Sequence, residues 1–396
     1  MKKQKHNFFS FLLLAAMGLM ITLPTLAQDD EDGFHVGGAL RYNIFDKSWV
    51  DSKTEPNFTW DTWRINVDGS MADVDLSFEY RWYPTSGNSH FLHHGYLGYG
   101  FGEEDNLYMK LGVSQVPFGI TKFASHSWWF QIPYYVGLED DYDMGLKFDY
   151  TGVENLKLTV GYFRQPEPNG GASSGLDANA SRYSYDITPA GVGTLPNTDT
   201  SASIQELNQF NIRAAYNITD NIEIGASGQF CGIYNSVLDE SEMSMALAGH
   251  IVANFGNFNF KGEYVNYDYA AKDDAGNTLD AVQMGAYAYN YNVAAKANMY
   301  VAGLAYSIDV DWGPISSIQP YVDWSMIDKA NGSFEPTQHL VPGFLITAGG
   351  IYTYVDYAMG QNNAWLGANT WTNGLAAGTA DPDWESRLNI NIGYYF

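Results

Sequence analysis

The chain has one cysteine, Cys231, in 396 residues. It can form no internal disulfide, and it lies too far along the chain to carry lipid at a processed N-terminus. Positive charge is equally sparse. Twenty Lys and Arg stand against 45 Asp and Glu, for a formal charge of -25. Such a balance makes nucleic acid no partner, and anionic lipid a poor one for the surface as a whole. Charged residues of both signs make up only 16% of the sequence. Past the first 27 residues, no stretch is long and apolar enough for a spanning helix. Aromatics and glycine are abundant instead: 29 Tyr, 22 Phe, 11 Trp and 40 Gly. A membrane protein without spanning helices is a closed β-barrel, because lipid satisfies no backbone hydrogen bond. Barrels use aromatics for girdles at both membrane surfaces.

The two termini agree with that reading. Lys2, Lys3 and Lys5 precede an apolar stretch from Phe8 to about Leu23, and Thr25-Leu26-Ala27 offers small residues before Gln28. This is the pattern of a cleaved secretory signal peptide, 1–27, ahead of a single barrel domain, 28–396. At the other end Leu388, Ile390, Ile392, Tyr394 and Phe396 share one face of an extended strand. Arg387, Asn389, Asn391, Gly393 and Tyr395 share the other, since side chains in a strand alternate with period two. A strand greasy on one side and polar on the other lies between lipid and water. Its free edge needs a partner, and the first strand of a closed barrel supplies one. The pattern resembles the C-terminal sorting signal of bacterial outer-membrane barrels, with Phe396 as its last residue.

Alternation recurs near 33–45, 58–70, 72–83, 90–102, 106–117, 143–151, 155–164, 208–217, 221–234, 242–255, 257–269, 299–309, 316–327, 338–348, 350–359 and 384–396. Most of these sixteen strands approach the ~9–11 residues that a tilted strand needs to cross hydrocarbon. Short turns (Gly69-Ser70-Met71, Glu103-Glu104-Asp105, Gly152-Val153-Glu154, Thr219-Asp220-Asn221, Gly256 and Gly349-Gly350) alternate with longer connections. The longer ones fall near 46–57, 118–142, 165–207, 270–298, 328–337 and 360–383. The predicted fold is an all-β transmembrane antiparallel barrel with short periplasmic turns and long extracellular loops. A soluble sandwich of this length would be unusually large, and its loops unusually long.

A barrel of about sixteen strands leaves an aqueous channel, so its inward faces should be polar. Arg41, Arg64, Arg81, Lys110, Lys147, Lys157, Arg213, Lys261 and Arg387 fall on those faces, as do Asp68, Asp75, Glu79, Asp149, Glu223, Glu263, Asp323 and Asp356. Glu79 with Arg81 and Lys261 with Glu263 are expected to pair; the other reading of the basic residues is an electrostatic track that selects solutes by sign. The 118–142 loop carries Lys122, His126, Trp128, Trp129, Phe130, Tyr134 and Tyr135, too many aromatics to hang in water. With 165–207, which holds Arg182, it is the expected constriction. Arg182, Lys122, Arg41, Arg64, Arg81 and Lys110 are predicted to line the narrowest zone.

No enzyme is expected. The chain has no H-E-x-x-H motif and no phosphate-binding glycine loop. His90 and His94 should share one strand face and His93 the other, which makes rim histidines rather than a metal site. The acidic run Glu139-Asp140-Asp141, with Asp143, reads as loop solvation in preference to a divalent-ion site. Cys231 reads as a small inward filler. Neither a metal nor a cofactor is expected.

The stretch Gly112-Val113-Ser114-Gln115-Val116-Pro117-Phe118-Gly119 resembles the G-Q-x-x-x-P-F-G segment of the phosphate-selective porin O/P family, with Val113 where that family usually has Gln. Gly145-Leu146-Lys147, the segment Ser181 to Ile187, and Ala348 to Tyr357 are similar to segments of its Bacteroidetes-type members. The resemblance implies a sixteen-stranded bacterial outer-membrane porin, often a homotrimer, with inward-folded loops. It implies passive diffusion of small hydrophilic solutes or inorganic anions, with outer-membrane lipid and the barrel-assembly machinery as partners. The family's phosphate-selecting arginine ladder and lysine cluster find no residue-by-residue match here. The alternative reading is a surface-binding or structural barrel whose aromatic loops, with Trp365, Trp371 and Trp384, engage glycan or envelope partners.

Overall fold

The structure, a computed structural model, describes residues 33–51, 53–102, 104–173 and 177–396. The predicted signal peptide 1–27 lies outside the described residues, as does Glu103 of the predicted turn. The strands in chain order are β1 (Gly33–Lys47), β2 (Asn57–Met71), β3 (Val74–Tyr83), β4 (Ser89–Phe101), β5 (Leu107–Gln115), β6 (Tyr142–Val153) and β7 (Leu156–Pro166). Then come β8 (Asp186–Thr188), β9 (Ile204–Thr219), β10 (Ile222–Asn235), β11 (Glu240–Phe255), β12 (Phe258–Asp268), β13 (Ala281–Ala286) and β14 (Tyr289–Ala294). The last are β15 (Lys296–Tyr306), β16 (Ile308–Trp312), β17 (Ile315–Lys329), β18 (Thr337–Ala348), β19 (Ile351–Gln361) and β20 (Glu385–Tyr395). One helical turn, α1 (Ile132–Tyr135), interrupts the loop after β5.

Neighbouring barrel strands pair antiparallel all the way round, and β1 pairs with both β2 and β20. β15 and β16 are halves of one strand parted at Ser307, since both pair with β17. The result is a closed barrel of sixteen strands. β8, β13 and β14 form a separate small sheet within the long connections. Closure sets Ala39 opposite Tyr395 and Lys47 opposite Arg387. It is completed by Gly38 N donating to Phe396 O at 2.9 Å and Phe396 N donating to Gly38 O at 3.1 Å. Gly38 is needed there: a Cβ would lie 2.6 Å from Arg64 O and 2.9 Å from the Phe396 ring.

One rim carries tight turns at 72–73, 154–155, 220–221, 256–257, 313–314 and 349–350. The other carries the connections 48–56, 84–88, 116–141, 167–203, 236–239, 269–295, 330–336 and 362–384. The first turn differs from expectation. β2 runs on through Met71, paired with Val74, and the reversal falls on Ala72 and Asp73, at φ 54° and 62°. A two-residue hairpin whose central residues both have positive φ matches the twist of the strands, whereas a turn at Gly69 would cut the ladder two residues short.

The outer surface is apolar at its middle, with Ile212, Ile224 and Leu247 exposed. Tyr99, Phe101, Tyr150, Phe258, Tyr306 and Trp312 ring it near the short-turn rim, and Phe58, Trp60, Tyr162 and Trp384 near the other. This apolar belt between aromatic girdles is a surface made for lipid. A charge at its centre is therefore expected to cost far more than one at its edge. Leu247→Lys should lower stability by about 2–4 kcal/mol and Phe255→Lys by about 0–1 kcal/mol, read by denaturant titration of the barrel in lipid vesicles.

Candidate functional site

The connection 116–141 does not stay on the rim; it runs down inside the barrel. It leaves β5 through Pro117-Phe118-Gly119, where Gly119 has φ +57° and a Cβ would collide with the Glu263 carboxylate. Glycine alone fits both constraints. Arg213 Nε donates to Gly119 O at 2.7 Å and Gly119 N to Ser227 Oγ at 3.1 Å. Lys261 Nζ reaches Phe123 O and Ser125 O, both at 2.8 Å. The expected Lys261–Glu263 pair is therefore replaced, because the loop carbonyls come within reach of the ammonium first.

The firmest hold is on the buried carboxylate of Asp323. It accepts the backbone N–H groups of His126 and Ser127 at 2.7 Å each, and His126 Nδ1 lies 2.8 Å away. His126 Nε2 meets Asn259 Oδ1 at 2.6 Å. Farther on, Trp128 N donates to Asp356 Oδ2 at 3.3 Å and Ile132 N to Ser325 Oγ at 3.1 Å. The loop is thus tied to β9, β10, β12, β17 and β19, across the lumen from where it began.

Other long connections close over it. Phe130 stacks on Tyr134 at 3.7 Å, the Tyr134 and Tyr287 hydroxyls meet at 2.7 Å, and Tyr291 OH donates to Tyr135 O at 2.6 Å. Tyr183, Tyr185 and Met284 join this buried cluster. Trp365 and Trp371 pack edge-on at 4.7 Å, and Trp371 Nε1 donates to Asn290 O at 2.9 Å. Of the three tryptophans considered for glycan binding, Trp384 is the exposed one. An apolar core therefore fills one side of the lumen.

On the other side a cavity of about 780 Å3 remains. Its wall is β1, β2, β3, β19 and β20, which present Arg41, Asp61, Arg64, Arg81, Arg387 and Tyr395. Facing them from the loops are Trp128, Trp129, Phe130, Tyr134, Tyr135 and Tyr183. Arg41 Nε pairs with Asp61 Oδ2 at 3.0 Å, and Glu79 pairs with both Arg81 and, at 3.4 Å, Arg64. Arg81 stands over the Tyr183 ring at 4.6 Å, Arg64 over Tyr395 at 4.9 Å, and Arg387 over Phe45 at 4.3 Å and Trp129 at 5.1 Å. Four guanidiniums meet two carboxylates, so 4 − 2 leaves a surplus of two positive charges.

The remaining predicted site residues lie elsewhere. Lys110 stands over Tyr96 at 4.5 Å, and Lys147 Nζ donates to Gln115 O at 2.6 Å. Lys157 faces Asp149 at 3.5 Å and Arg213 faces Glu223 at 3.0 Å. Lys122 is exposed and borders a second, smaller cavity with Lys261 and Asp220 near the short-turn rim. Arg182 is held within its own loop by Asp186 at 2.9 Å and by Asn169 and Asn179 at 3.1 Å. Of the residues grouped in the expected narrowest zone, the structure brings Arg41, Arg64 and Arg81 together and sets Arg182, Lys122 and Lys110 apart. Arg387 takes the fourth position, and the inward face of the last strand was its signal. Tyr395 lies on the inward face expected of the last strand, whereas Asp61 carries no motif that marks it.

Two local expectations are corrected. His90 and His94 do not share a face. A bulge opposite Glu79 and Tyr80 leaves His93 without a cross-strand partner, so His93 and His94 both turn inward, with Nδ1 atoms 2.8 Å apart, while His90 Nδ1 meets Tyr80 OH at 2.7 Å outside. An extra residue in one strand reverses the alternation beyond it. Nor is the acidic run solvated: Glu139, Asp140, Asp141 and Asp143 are all buried. Burial pushes the Asp140 carboxyl up to about 7, against hydrogen bonds from Tyr183 and Gln115. Asp141 and Glu167 are pushed up by burial and by the nearby charge of Asp186.

No family model matches the sequence, and no curated protein matches it. Solved structures do match. OmpF of Salmonella typhi, in a complex with daunomycin, superposes with a TM-score of 0.60 at 12% identity over 93% of this chain and 99% of that one. OmpT of Vibrio cholerae in a trimer form gives 0.56 at 12% identity, over 93% and 100%. An anion-selective porin from Comamonas acidovorans gives 0.55 at 11% identity, over 92% and 100%. At such identities the likeness is one of fold, that of an outer-membrane β-barrel.

The Asp323 contact can be broken without touching the cavity wall. Asp323→Ala removes the charge-assisted acceptor of two loop amides and an imidazole, a loss on the order of 3 kcal/mol or more from loop docking. The expected outcome is unchanged strand content by circular dichroism, faster proteolysis within 120–131, and larger single-channel conductance steps.

Proposed function

We propose that the protein is a porin of the bacterial outer membrane, through which small hydrophilic solutes diffuse passively, with a preference for anions. The observation that carries this reading is the surplus of guanidinium over carboxylate along one wall of the cavity. At low local dielectric such a surplus acts strongly on a passing ion and raises the local concentration of the opposite charge.

The likeness to the phosphate-selective porin O/P family belongs to the same proposal. Its segment Gly112 to Gly119 forms the end of β5 and the entry to the docked loop, the place where an inward-folding loop needs a fixed exit angle. Phosphate itself is one anion among those the wall would favour. The apolar belt suits outer-membrane lipid as a partner, and Phe396 suits recognition by the barrel-assembly machinery. The trimer form of the Vibrio cholerae protein makes a homotrimer the assembly to look for. No catalytic role is assigned.

The test is the reversal potential of single channels in a planar bilayer under a salt gradient. The wild-type protein is expected to favour the anion. Arg387→Glu would leave three cations against three carboxylates at the wall, and the preference is expected to vanish. Lys296→Glu, exposed on the outer face with Tyr300 and Leu304, should leave it in place. A wild-type channel that favours cations, or an Arg387→Glu channel as anion-selective as the parent, would overturn the reading.

A further inference from the structure

Beside the loop core, acidic side chains from three segments converge. Asp141 ends the docked loop, Asp143 is the second residue of β6 and Asp186 opens β8. One oxygen of each lies within 4.8 Å of the others. All three are buried, Asp186 completely. Each carboxylate also has an oxygen with no partner: Asp141 Oδ1, Asp143 Oδ1 and Asp186 Oδ1. The second oxygen of Asp186 is taken by Arg182 NH1 at 2.9 Å, and that of Asp143 by Gln209 Nε2 at 3.0 Å.

Two further groups point to the same gap. Gln209 is neutral, 3% exposed, and its amide oxygen has no partner although its amide nitrogen is tied to Asp143. Glu167 is 1% exposed; its Oε1 accepts the N–H groups of Tyr183 at 3.2 Å and Ser184 at 2.9 Å, and its carboxyl meets that of Asp186, oxygen to oxygen. The charges do not balance. Five acidic side chains, Asp141, Asp143, Glu167, Asp186 and Glu206, crowd around one cation, Arg182. Burying uncompensated charge and unpaired oxygens together is costly.

We propose that Asp141, Asp143 and Asp186 hold a hard divalent cation, calcium by preference, with Glu167 Oε2 and Gln209 Oε1 as further ligands. An all-oxygen set of carboxylates and an amide selects against the softer transition metals. Calcium takes six to eight oxygens at ~2.3–2.6 Å, so two oxygens on one ion lie at most about 5 Å apart, a span that the three carboxylates satisfy. The ion would clamp the end of the docked loop, the root of β6 and the β8 segment into one body. Tyr183 and Ser184 lie between its ligands in sequence, and Tyr142 N donates to Ser184 Oγ at 2.8 Å, so the clamp would fix the tyrosine that faces Arg81.

The experiment uses full-length protein purified in detergent, stripped with EDTA and desalted. Titration with CaCl2 by calorimetry is expected to show a site of one calcium per chain. Asp141→Asn should weaken it at least tenfold. Asp220→Asn, on an exposed short turn, should bind as the parent does. Calcium is also expected to raise the unfolding midpoint of stripped protein where the same ionic strength of KCl does not. Binding by Asp141→Asn equal to the parent would overturn the proposal. If that variant does not fold, Gln209→Leu takes its place with the same expected loss, and elemental analysis of unmodified, dialysed protein decides independently. About one calcium per chain supports the site, and less than about a tenth of that overturns it.

Discussion

One buried carboxylate makes the difference between a wide barrel and a narrow one. A sixteen-stranded wall alone encloses a broad water-filled lumen. Asp323, on β17, stands across that lumen from the strand where the docked loop begins, and its two oxygens meet two backbone amides and an imidazole of that loop. A carboxylate in such a place needs donors as much as the loop needs an acceptor. The mutual need pulls 116–141 down along the wall. The aromatic residues of the later connections then find an apolar platform on which to pack, and the lumen divides into a filled side and an open one.

That division explains the character of the open side. Its walls have different origins and different chemistry. The strand wall is polar because its outer face is spent on lipid and its inner face is left for water. The loop wall is aromatic because it is the underside of a core. Guanidinium groups stacked on rings (Arg81 on Tyr183, Arg387 on Trp129) join the two. Such contacts hold the charges in place without neutralising them, so the positive surplus persists at the surface a solute would meet.

The barrel was legible in the sequence because its code is local. Period-two alternation tells which residues face lipid, and the alternation of tight turns with long connections tells which rim is which. The last strand, Leu388 to Phe396, announced both its own faces and its partner. The site was legible only as far as that code reaches. Arg41, Arg64, Arg81 and Arg387 sit on strands and could be placed inward. What the loops do depends on partners far along the chain: His126 meets Asp323 nearly two hundred residues later, and Lys261 abandons its strand neighbour for loop carbonyls. Arg182 belongs to a loop expected to fold into the channel, yet Asp186, four residues on, holds it. The acidic run 139–141 looked solvated because nothing in its composition reveals that two other loops lie over it.

The bulge at His93 has a wider meaning. Below it on β4 the even-numbered residues face the lumen, with Leu97, Tyr99 and Phe101 outside; above it the odd-numbered Ser89 and Phe91 are buried within. One surplus residue lets a single strand carry two opposite parities. The half that crosses the membrane near the tight turns and the half that supports the loops are then written in separate reading frames. Insertions and deletions at the loop rim can be absorbed by such a frame shift, so the mouth of the barrel is free to vary while the part that meets lipid keeps its register.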